Sequence, residues 1–75
     1  MQITELHPPI NGVTSFCGMA VTRHGRRYSF CSTLEGEACC VQREKPYATT
    51  GGRTFWIATE APKALRDAVR KAVLK

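Results

Sequence analysis

Carboxylates are scarce in this sequence: six against eleven lysines and arginines, with Asp67 the only aspartate. Paired-acid hydrolysis and two-metal chemistry both need clustered carboxylates, so neither is easily assembled from this set. No stretch approaches the 18 apolar residues of a membrane-crossing helix, which removes membrane insertion from the expected roles. The start, Met-Gln-Ile-Thr-Glu-Leu-His-Pro-Pro, has neither the positive segment nor the apolar core of a signal peptide. A cytoplasmic protein with reduced thiols is therefore expected, although four cysteines could otherwise form a disulfide framework. Their spacing, Cys17, Cys31, Cys39 and Cys40, contains no Cys-x2-Cys knuckle, and adjacent cysteines on a strand point to opposite faces. No structural metal is expected from it. Gly51-Gly52-Arg53-Thr54 lacks the spacing of a phosphate-cradling loop, and His7 and His24 have no nucleophile beside them in sequence. No catalytic set and no cofactor site emerge, so the chain is expected not to be an enzyme.

What remains is a small basic domain. At 75 residues and net charge +5, one modest core is expected, with polyanions the most natural non-specific ligands. Positive charge gathers in two places: Arg23, Arg26 and Arg27, and the segment from Lys63 to Lys75.

The C-terminal segment carries the clearest periodicity. Ala61, Leu65, Ala68, Val69, Ala72 and Val73 form one stripe on a 3.6-residue period, and a helix this short needs an apolar sheet beneath it. Thr59 is the expected N-cap, with Glu60 in the first turn. Residues 1–12, with Pro8-Pro9 and Asn11-Gly12, read as an extended arm.

Between arm and helix, alternation predicts hairpins. A two-residue loop at His24-Gly25 sets Val21 opposite Tyr28, Met19 opposite Phe30 and Cys17 opposite Ser32 on an apolar face. The other face is then small or polar, with Gly18, Ala20, Ser29, Thr33 and Ala38, except at Phe16. A second loop at Glu35-Gly36 sets Val41 beside Phe30, Cys39 beside Ser32, Arg27 against Glu44 and Cys31 against Cys40. Such a cysteine pair has the reach for a cross-strand disulfide, but a reducing compartment favours two neighbouring thiols. Pro46 interrupts the ladder before a last strand in Arg53–Thr59. Pairing around a Gly51-Gly52 turn sets Trp56 opposite Tyr47 on the helix side, whereas a bulge at Pro46 turns Phe55 and Ile57 inward and Trp56 outward; the second is favoured because it buries two anchors rather than one.

The expected fold is α+β: a three- to four-stranded antiparallel meander packed against one C-terminal α-helix. The single domain spans 1–75, with an arm over 1–12, sheet over 13–59 and helix over 60–75. Expected core residues are Val13, Cys17, Met19, Val21, Tyr28, Phe30, Leu34, Cys39, Val41, Phe55, Ile57, Leu65, Ala68, Val69, Ala72 and Val73.

Two functions follow as expectations. In the first, arginines at the hairpin tip, Arg23, Arg26 and Arg27, meet phosphates, while Arg27, Gln42, Arg53 and an outward Trp56 reach bases in a groove. In the second, the outer sheet face with Phe16 and Trp56 takes a protein partner or a second copy of the chain. For the helical cations Lys63, Arg66, Arg70 and Lys71, a solvated face is the expectation. In element order the chain resembles AP2-type domains and the arm-binding domains of phage integrases, three strands and a C-terminal helix, which lay their sheet in the DNA major groove. That resemblance implies DNA binding through the sheet, but a fourth strand before the helix departs from the plan.

Overall fold

The structure, a computed structural model, describes residues 1–10, 15–46 and 54–74. Five strands and one helix follow in chain order: β1 (Gln2–His7), β2 (Phe16–Val21), β3 (Arg27–Ser32), β4 (Ala38–Pro46), β5 (Thr54–Ala58) and α1 (Lys63–Val73). The strands form one antiparallel sheet in the order β1-β2-β3-β4-β5. The α+β architecture matches the sequence reading, with one strand more.

That extra strand is the segment expected to be an arm. Ile3 pairs with Ala20 and Leu6 with Gly18, and the register shifts between Ile3 and Glu5. The shift makes a bulge at Thr4, whose hydroxyl donates to the Met19 carbonyl at 3.2 Å. Because of the bulge, Ile3 and Leu6 both reach the core although they stand three apart, a spacing that hides a strand from a period-two search.

Both hairpins close with three-residue loops rather than two. In the first, Thr22 N–H donates to Arg26 C=O and Gly25 N–H to Thr22 C=O, both at 2.9 Å. The second repeats this with Thr33, Glu37 and Gly36 at 3.0 Å. Gly25 and Gly36 each have φ 84°, the left-handed residue of a turn followed by a one-residue bulge. Each threonine hydroxyl also accepts the N–H four residues on, Arg26 at 3.0 Å and Glu37 at 3.1 Å.

One added loop residue inverts β2. Phe16, Gly18 and Ala20 pair with Ser32, Phe30 and Tyr28, while Cys17, Met19 and Val21 pair with Cys31, Ser29 and Arg27. The first set faces the helix and the second faces away, opposite to the expectation, because side chains alternate with a period of two. Cys17 is accordingly exposed, and Met19 and Val21 are only half-buried on the outer face. Phe30 and Ala20 are 1 % exposed. Phe30 lies over Gly18, where a Cβ would stand 2.8 Å from its ring and 2.2 Å from the Glu5 carbonyl oxygen.

A second irregularity then restores the expected pairing further on. Cys31 opposes Cys39 and Ser32 opposes Ala38, but beyond a shift the pairs are Ser29 with Gln42 and Tyr28 with Arg43. Cys40 sits at the shift with φ 50°. This bulge brings Val41 to the inner face and Glu44 to Arg27, as the sequence predicts; Cys31 meets Cys39 and Cys17 instead of Cys40. In β5, Ile57 pairs with Arg43 and Phe55 with Lys45, so both face inward, half-buried, and Trp56 faces out.

The core is Ala20, Tyr28, Phe30, Val41, Leu65 and Val69, with Ile3, Leu6, Ala38, Ala61 and Val73 packed on it. Leu65 and Val69 are fully buried, and the helix meets the sheet over β1 and β4. The helical stripe read from sequence is thus the buried one. Leu34, an expected core residue, sits in the longer second loop and is 54 % exposed. Cys39 is half-buried on the outer face. Val13, Tyr47 and the turn expected at Gly51-Gly52 lie outside the described residues. The helix starts later than expected, with Pro62 at the cap and no side-chain cap bond. Pro62 disfavours helical backbone at Ala61. Thr59 is no cap: its N–H donates to Val41 C=O at 3.0 Å.

Candidate nucleic-acid interface

The register sorts the predicted site residues. Arg27, Gln42 and Trp56 all face the outer side of the sheet, on β3, β4 and β5. Arg23 and Arg26 are exposed in the loop between β2 and β3, and Arg53 lies outside the described residues. The five described positions therefore sit on one side or at its rim.

Their centre is a three-strand cluster. Arg27 Nε donates to Glu44 Oε1 at 3.0 Å, and its Nη2 donates to Glu44 Oε2. Thr54 Oγ1 donates to the same Oε2 at 3.1 Å. The guanidinium carbon stands 5.7 Å from the centre of the Trp56 ring, within cation–π range. A bidentate acid thus fixes the plane of the arginine beside the indole. The Arg27 bonds hold the Glu44 carboxyl below its ordinary value, with Thr54 adding to the effect; the same contact raises the arginine. Arg27 remains half-exposed, its side chain at 50 %.

Because Glu44 neutralises Arg27, it is Arg23 and Arg26 that carry unpaired charge. Among the described residues neither makes an ion pair. An open groove runs beside them, lined by Thr22, His24, Gly25, Arg26, Arg27, Tyr28, Glu44 and Thr54. Its Arg26 end suits an anion, and Arg27 links the groove to the Trp56 ring outside it.

The outer face differs in composition from the sequence reading. Gly18, Ala20 and Ala38 point inward, as does Phe16, and the outer positions of β2 hold Cys17, Met19 and Val21. The face is consequently more apolar and less recessed than expected. The Thr-x-x-Gly repeat at Thr22–Gly25 and Thr33–Gly36 marks the three-residue loops and was the legible sign of this register. The second basic cluster, Lys63, Arg66, Arg70 and Lys71, is exposed on a helix that covers the inner face. It lies on the opposite side of the molecule, and Asp67 pairs with Lys63 there at 2.9 Å.

All four thiols are free. Among the described residues, no three histidine, cysteine, aspartate or glutamate side chains are disposed to hold a metal ion, and no helix is long and apolar enough to cross a membrane. Comparison with models of known protein families, with curated protein sequences and with solved structures found no match.

Proposed function

We propose that this chain is a non-enzymatic nucleic-acid-binding module of the cytoplasm, with Arg23 and Arg26 on phosphates and Trp56 and Gln42 on bases. The observation that carries the reading is the Arg27–Trp56 cation–π contact, with Arg27 held by Glu44, beside two unpaired tip arginines. Base stacking on an aromatic ring contributes about 1–3 kcal/mol per base. A tip cation tracks the backbone next to it.

Width argues for a single strand rather than a duplex on the face. Five strands span four spacings of about 4.8 Å, roughly 19 Å, against a major groove of about 12 Å. The β2–β3 tip, a three-residue loop carrying two exposed arginines, is narrow enough to enter a groove. A second reading, a protein partner or second copy on the outer face, draws on the half-buried Met19 and Val21 there, but no longer on Phe16.

The test is retention of a short single-stranded oligonucleotide by the double variant Arg23→Gln/Arg26→Gln. Binding should weaken, and the slope of log affinity against log salt should fall by about 1.4, two phosphates at roughly 0.7 each. Unchanged retention and slope would discard the proposal; self-association lost on Met19→Ser would favour the second reading.

A further inference from the structure

Across the outer face, strand pairing aligns three cysteines, one each from β2, β3 and β4. We propose that Cys17 and Cys31 are a thiol-modification site, in which Cys17 takes up a small-molecule disulfide and Cys31 resolves it to a cross-strand Cys17–Cys31 disulfide. This inference is independent of the nucleic-acid reading.

Geometry selects this pair among the four cysteines. Thr22 and Arg26 close the first hairpin with a backbone hydrogen bond, and the ladder alternates outward from it. Five pairs further on, Cys17 and Cys31 fall at a non-hydrogen-bonded position, where Cα atoms approach to about 4.5 Å. Their sulfurs are 3.6 Å apart, and a disulfide needs about 2.05 Å, within reach of small side-chain rotations. Cys31 and Cys39, counted from the Thr33–Glu37 closing bond, form a hydrogen-bonded pair with Cα atoms about 5.5 Å apart. The bulge at Cys40 interrupts the ladder beside them.

Exposure orders the two steps. Cys17 is exposed and Cys31 half-buried. With oxidised glutathione as reagent, the Cys17 thiolate attacks one sulfur, a Cys17–glutathione bond forms, the reagent's S–S bond breaks, and one glutathione leaves as thiolate. Cys31 gives its proton to solvent, its sulfur attacks Cys17 Sγ, and the second glutathione leaves as thiolate and is protonated. Two cysteine thiols are oxidised and one glutathione disulfide is reduced to two thiols. Burial, with the Cys17 contact and neighbouring sulfurs adding to it, pushes the Cys31 thiol up to about 11. In the adduct, burial, the largest cause, still keeps Cys31 mostly protonated near neutrality, so the closing step should quicken with pH, by up to about tenfold per unit, because the thiolate is the nucleophile.

The experiment incubates the full chain with oxidised glutathione, blocks remaining thiols, and maps masses after cleavage at Arg23, Arg26 and Arg27 and at Glu35 and Glu37, which places Cys31 and the Cys39-Cys40 pair on separate peptides. The expected result is two free thiols, Cys39 and Cys40, and Cys17 and Cys31 peptides that separate only on reduction. The oxidised protein should melt on the order of 10 °C higher, since the bond closes a loop of about 15 residues. Cys31→Ser should stop at the glutathione adduct on Cys17, and Cys39→Ser/Cys40→Ser should still close. Four free thiols throughout, a Cys39–Cys40 bond, or a bond between two copies would overturn the proposal.

Discussion

A methyl group at position 18 would stand 2.2 Å from the Glu5 carbonyl oxygen and 2.8 Å from the Phe30 ring, so β1 or the ring must give way to admit it. Overpacking of this kind destabilises by about 1–3 kcal/mol, and Gly18→Ala is expected near the upper end because one obstacle is backbone. Gly25 offers the contrast: its Cβ would meet nothing within 4 Å, leaving only the left-handed conformation, about 1–2 kcal/mol. Urea midpoints of the two variants decide the register. A harmless Gly18→Ala would return Gly18 to the outer face and restore the two-residue loop. Cys40, with φ 50°, is the one non-glycine among the described residues in left-handed backbone, and nothing in its side chain announces that bulge.

At the scale of elements, Glu44 ties three strands together, taking bonds from Arg27 on β3 and Thr54 on β5. Its carboxyl is held below the ordinary glutamate value. The group thus contributes stability that is present above the unfolded-state value and is lost as pH falls through the lower folded value. Fluorescence of Trp56, the only tryptophan, should report release of Arg27 in an acid transition centred below the usual carboxylate range. Glu44→Gln should remove that transition, and a midpoint at or above the ordinary value would contradict the clamp. Elements were unevenly legible in the sequence. The α1 stripe at Leu65 and Val69 was plain, because a 3.6 period over eleven residues has few rivals. β1 was not, since the Thr4 bulge breaks the alternation of Ile3 and Leu6. β2 lies on the face opposite to the expected one because Gly25 fits two turn types, and in the sequence the threonine three residues before it, whose hydroxyl accepts the Arg26 N–H, is the sign of the longer one. The Arg27–Glu44 pairing survived that error, because the Cys40 bulge cancels the extra loop residue.

Over the whole molecule, charge and shape divide by side. One side carries the β2–β3 tip, Gln42 and Trp56, and the helix carries Lys63, Arg66, Arg70 and Lys71 on the other. The net charge of +5 attracts polyanions to both, so bulk affinity alone does not distinguish them, whereas a residue-resolved map does. The most direct measurement is an amide NMR titration of the full chain with a short single-stranded oligonucleotide at low and moderate salt. The account predicts shifts clustered on residues 22–29 with Gln42 and Trp56, shrinking as salt rises. Shifts confined to residues 63–74, or none at low salt, would contradict it.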